Sequence, residues 1–144
     1  MAFSGNFLCT SFKVELMKGV HNFTAASDKF KLALYNNSSS FTAATTAYTS
    51  TNEISGTNYT AKGNFLTSVT PVASSTTALT DFADEVFSTV TISAVRGALI
   101  FNEAATSDPT VCVLDFGADK AASSGDFTIV FPTADASNAI IRIA

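Results

Sequence analysis

The sequence predicts an all-β domain, an antiparallel β-sandwich or jelly-roll-like barrel with one or two short helices. Three observations point there. Short segments alternate apolar and polar residues with period two, as half-buried strands do. Loops rich in Ser, Asp, Gly and Pro separate them (Glu103–Pro109, Gly117–Gly125, Pro132–Asn138). The 144 residues include 20 Thr, 17 Ser and 13 Phe but only 14% charged residues, which suits strands and surfaces that meet other protein. With 47% hydrophobic residues, the chain can bury one core, and the composition is not that of a disordered segment.

Residues 1–10 form an apolar arm, with Phe3, Phe7 and Leu8 among small residues and no clear periodicity. Such an arm packs back on its own domain or reaches a neighbouring subunit, and docking on a neighbour is the expectation. Residues 11–144 form the β-rich domain. Its first element is a two-turn helix over about 11–18, with Ser11 as cap, Phe12 and Leu16 on one face, and Gly19 as the stop. Phe12, Val14 and Leu16 also alternate, which leaves a strand as the alternative there. Asp28 to Asn36 is a half-buried strand, with Phe30, Leu32 and Leu34 on one face and Lys29, Lys31 and Tyr35 on the other. A polar loop follows over 36–46.

The stretch from Ser50 to Leu66 controls how the chain enters its sheet. Ser50 and Glu53 have the spacing of a capping box, predicting a helical turn at 51–55 that ends at Gly56, where φ > 0 is tolerated. Tyr59 is an anchor with an apolar ring and a polar tip, and Lys62-Gly63-Asn64 is a turn. Seven strand segments follow. The first begins at Phe65, Leu66 and Val69 and ends near Pro71. The others are Thr76–Phe82, a segment through Val86, Val90 and Ile92, Val95–Asn102, Thr110–Phe116, Phe127–Phe131 and Ala139–Ile143. The apolar run Ala98-Leu99-Ile100-Phe101 predicts a strand covered on both faces.

Chemistry-bearing patterns are sparse. Asp115-Phe116-Gly117 spells a kinase metal-binding tripeptide, but no glycine-rich loop or catalytic loop accompanies it. Asp108, Asp115, Asp119 and Asp126 lack EF-hand spacing and are expected to form turns and caps. His21, the single histidine, has no G-x-S-x-G elbow to serve, and its expected role is a hydrogen bond between helix and strand. Cys9 and Cys112 are expected to stay reduced, Cys112 as a small buried hydrophobe. No catalytic residue, cofactor or metal is expected. A formal charge of −4 argues against nucleic acid, and Lys13, Lys18, Lys29 and Lys31 are expected on a solvated face. No apolar run is long enough to span a membrane, and the start lacks the pattern of a signal peptide. Most phenylalanines are expected in the core, leaving Tyr35, Tyr48 and Tyr59, with Phe3, Phe7 and Leu8, as candidate assembly contacts.

Several stretches together are distinctive: F-K-V-E-L-M-K-G-V-H-N-F at 12–23, F-K-L-A-L-Y at 30–35 and T-A-Y-T-S-T-N-E-I-S-G-T-N-Y-T-A-K-G-N-F-L at 46–66. R-G-A-L-I-F-N at 96–102, V-L-D-F-G at 113–117 and F-P-T-A-D-A-S-N-A-I-I-R-I-A at 131–144 belong with them. On these stretches the chain resembles a family of small virion structural proteins of tailed bacteriophages, common among aquatic phages. The resemblance implies a particle component without enzymatic activity, made in the host cytoplasm and located in the virion. Its implied partners are the major capsid protein or other virion proteins. The first expectation is a capsid decoration (cement) protein acting as a homotrimer. A tail, neck or fibre-attachment component is the second, and a carbohydrate-binding or host-adhesion module is the reading from another class.

Overall fold

A computed structural model describes residues 3–24 and 29–144, so Asp28 of the expected second element lies outside the described residues. The elements in order are β1 (Phe7–Leu8), α1 (Thr10–Met17), β2 (Phe30–Tyr35), β3 (Asn64–Phe65), β4 (Ser68–Ser74), β5 (Thr77–Phe82), β6 (Glu85–Asn102), β7 (Thr110–Ile129) and β8 (Ile141–Ile143). They form two antiparallel sheets, β1-β7-β6-β2-β3 and β4-β5-β8, with one short helix. The all-β, sandwich-like expectation holds.

The frame is the hairpin of β6 and β7, whose register runs from Glu85↔Ile129 to Phe101↔Thr110. It replaces four expected strands by two. The break expected between Ile92 and Val95 is a bulge, where Ala94 adopts φ 56° and β6 gains one residue on β7. The loop expected over Gly117–Gly125 is also strand. Between the pairs Val95↔Lys120 and Gly97↔Asp115, β7 advances five residues while β6 advances two. Gly117, at φ 75°, lies within that insertion, and Ser124, at φ 48°, lies in a second one. Solvent-facing Ser, Gly and Asp satisfy an exposed bulged strand as readily as they do a loop.

β2 lies beside β6, from Phe30↔Asn102 to Tyr35↔Gly97. It is not half-buried as expected: every residue but Lys31 is buried, because α1, the second sheet and later loops cover both faces. Phe23 stacks on Phe30 with ring centroids 4.4 Å apart, Phe12 meets Phe23 edge-on at 6.0 Å, and Phe82 bridges Phe30 and Phe131 at 5.7 Å each. These rings join the helix and the two sheets into one core. β4 continues past Pro71 to Ser74, with Pro71 inside a bulge on the sheet edge, where no ladder donor is needed.

The helix begins at Thr10, and its cap position is Cys9 rather than Ser11. The amides of Cys9 and Thr10 donate to the carbonyls of Val111 and Ala43, so sheet and loop backbone do what a serine was expected to do. Ser11 falls inside the helix. Gly19 follows the last turn at φ 72° as expected.

The N-terminal arm packs on its own domain. Phe3 is only 2% exposed, its ring 6.0 Å from Phe41 and lying over Gly97, where an added Cβ would come within 2.4 Å of it. Phe7 and Leu8 pair with Val113 and Cys112. Of the two places the sequence allows the arm, this chain shows the intramolecular one, where Gly97 leaves the space a phenyl ring needs. No helix forms at 51–55 either. Residues 47–66 instead run as a strap along the exposed edges of β2 and β6.

Candidate interaction surfaces and the Glu53 network

The strap is held by one carboxylate. Glu53 Oε2 accepts the Tyr48 hydroxyl at 2.6 Å, and Oε1 accepts the Tyr59 hydroxyl at 2.8 Å and the Lys62 amide at 2.7 Å. Tyr59 Oη also accepts the Leu34 amide at 2.9 Å, while the Ile54 amide donates to the Leu34 carbonyl at 2.8 Å. Tyr35 donates to the Thr49 carbonyl at 2.7 Å. The strap thereby supplies the partners that the outer edge of β2 lacks. Farther along it bridges β6 at Thr57↔Thr91, and Asn58 Nδ2 donates to the Thr89 carbonyl.

Glu53 therefore does not close a capping box, since its carboxylate is saturated by side chains and by an amide nine residues away. Gly56 does not adopt positive φ; it is needed because a Cβ there would lie 2.1 Å from the Thr91 carbonyl oxygen. Tyr59 is the anchor that was expected. Glu53 as the common acceptor was missed, although it is the single charged residue between Lys31 and Lys62. A lone carboxylate in so long an uncharged stretch is the signal that could have found it.

The candidate assembly residues are thus placed inside this chain's own packing. Tyr35 has no exposed surface, Phe3 almost none, and Tyr48, Tyr59, Phe7 and Leu8 are half-buried. Burial first, and then the Glu53 carboxylate, push the hydroxyls of Tyr35 and Tyr48 well above their ordinary range. The Tyr59 hydroxyl moves the same way for the same two reasons, against the lowering effect of the Leu34 amide. All three remain protonated donors.

The remaining candidates are tied in pairs. His21 Nε2 lies 2.9 Å from Glu15 Oε2 on α1, and Nδ1 lies 3.2 Å from Asn102 Nδ2 on β6, the helix-to-strand link that was expected. Arg96 holds Asp115 at 3.2 Å and Asp119 at 3.8 Å, and Lys62 holds Asp108 at 2.7 Å. Asp126 accepts the Thr89 amide at 2.9 Å, and Asp115 accepts the Gly117 amide at 2.9 Å, closing the turn of that tripeptide. Lys29 and Lys31 lie over the exposed Phe65 ring at 5.7 and 4.4 Å. Cys9 and Cys112 are buried free thiols, and burial raises both. Among the described residues, no three His, Cys, Asp or Glu groups are disposed to hold a metal ion, and no helix is long and apolar enough to cross a membrane.

Among the described residues, two surfaces stand out as open. One is a groove between α1 and the second sheet, about 120 Å³, lined by apolar side chains including Leu16, Phe23, Pro71, Ile141 and Ile143. Met17, Val72 and Ile143, all more than half exposed, lie at or beside it in the chain. The other is the outer edge of β7, which β1 covers only at Cys112 and Val113. No protein-family model, curated protein or solved structure matches this chain.

Proposed function

We propose that this chain is a structural component of a tailed-bacteriophage virion, a decoration protein that binds the major capsid shell. The sequence resemblance gives the reading its direction. The observation that carries it is the apolar groove with Met17, Val72 and Ile143 around it, a surface that stable contact with another protein would remove from water. The surrounding frame is suited to display such a surface. Strap and arm are bonded back to the main sheet directly and the helix through His21, so the groove is presented on a preorganised scaffold.

The test is to count this chain against the major capsid protein in purified particles, and to measure binding of the recombinant chain to particles stripped of it. A fixed stoichiometric ratio to the shell protein, with binding weakened by Met17→Asp and Val72→Asp, is the expected result. A few copies per particle would place the chain in the tail, neck or fibre attachment instead. Its absence from purified particles would overturn the reading altogether.

A further inference from the structure

The two long edges of the main sheet are treated in opposite ways. The strap closes the edge formed by β2 and the distal half of β6 with backbone and side-chain bonds. Among the described residues, no strand lies beside the outer edge of β7 beyond Val113, where the side chain of Asn6 accepts the Asp115 amide. The shorter edges are protected by length or by proline: β3 has two residues, β8 three, and β4 carries Pro71 in a bulge. β7 runs for 20 residues without a proline, interrupted by the insertions at Gly117 and Ser124.

Residues 116–130, which run one residue past the end of β7, are self-complementary about Ser123. Laid antiparallel on a second copy, Phe116 faces Val130 and Lys120 faces Asp126, each contact occurring twice by symmetry. Only the small residues Ala121, Ala122, Ser123, Ser124 and Gly125 lie between. The bulge at Ser123 and Ser124 then sits at the axis, where no large side chain must be accommodated. The exposed groups match this arrangement. Val130 is 73% exposed, and among the described residues Lys120 has no carboxylate within ion-pair distance, while Asp126 keeps only Oδ1 on the Thr89 amide of its own β6. A trough of about 440 Å³ along the edge has Phe116, Lys120, Asp126, Phe127, Ile129 and Val130 among its walls. We infer that two copies of this chain associate about a two-fold axis by antiparallel pairing of their β7 edges across residues 116–130, with reciprocal Lys120–Asp126 ion pairs. The contact is isologous, whereas the resemblance implies a three-fold one. It does not rest on the virion reading.

Sedimentation equilibrium of the full chain over a concentration series tests it, beside disulfide trapping of Ser123→Cys. The expected result is a monomer–dimer equilibrium, weakened at least about tenfold by Lys120→Asp, which sets like charges opposite each other. The double exchange Lys120→Asp/Asp126→Lys restores association. Ser123→Cys, opposite itself across the axis, cross-links into a covalent dimer much faster than Thr70→Cys on the β4 edge. That comparison decides the matter even if the Asp126 variant fails to fold. A monomer or trimer at all concentrations, association indifferent to Lys120→Asp, or equal cross-linking of the two cysteine variants overturns the inference.

Discussion

Tyr59 donates its hydroxyl proton to Glu53 at 2.8 Å and, on the same oxygen, accepts the Leu34 amide at 2.9 Å. One phenol thus joins the strap to the edge of β2. Glu53 holds three donors at once, two of them on half-buried tyrosines. We expect Glu53→Ala to cost about 3 kcal/mol, because it strands those donors, and Glu53→Gln to cost roughly 1 kcal/mol. Urea unfolding of the two variants checks the order; an alanine variant as stable as the parent would contradict it.

All three tyrosines of the chain belong to this network, and the chain has no tryptophan. Their folded pKa values lie above the unfolded value of about 10. Linkage gives the sign. The stability tied to these protonated hydroxyls is full below the unfolded value and is lost as pH rises through the folded values. We therefore expect no tyrosinate absorbance in the native protein as pH passes the ordinary phenol range. The band should appear together with loss of the circular-dichroism signal. Tyrosinate forming while the fold persists would show that the hydroxyls are accessible.

Asp81 is almost completely buried. Oδ1 accepts the Phe82 amide at 2.8 Å and Oδ2 accepts the Ile140 amide at 3.2 Å. Burial outweighs these bonds and raises its pKa, with Asp84 adding to the rise. A raised carboxyl stabilises the fold below the unfolded value of about 3.9, and that contribution is lost as pH climbs through the folded value. Asp81→Asn should flatten this fall. The variant's deficit against the parent is then expected to be largest in acid and smallest at neutral pH, by thermal melts across the range. A constant deficit would count against it.

The arm yields the fourth prediction. Phe3 fills the space over Gly97, so Phe3→Ala should cost about 3–5 kcal/mol, as truncation of a buried phenylalanine does. Gly97→Ala drives a Cβ toward the same ring and should destabilise as well. If either variant melts with the parent, the arm is not part of the core.

The sequence made strands visible wherever alternation faced one side to water, and made α1 visible through Gly19. It hid the length of β6 and β7, because Ala94 and Ser124 at the bulges look like any connection, and Gly117–Gly125 has a loop's composition on an exposed edge. Tyr59 could be foreseen as an anchor from its type alone. Its acceptor could not be assigned, since Ser50 and Glu53 have a helix cap's spacing whether or not a helix forms. The position of Phe3 depended on the missing side chain of Gly97, 94 residues away, which no local pattern carries.

That separation also sets an order of events. Phe7 and Leu8 leave the ribosome long before Cys112 and Val113, the residues they pair with, have been made. These two apolar residues must therefore wait, unpaired, until β7 has been made. The β6–β7 hairpin, closed by the short 103–109 connection, contains its own partners and can form as soon as it emerges. The arm is then a late-closing latch. Contacts made that late are expected to slow unfolding more than they speed folding.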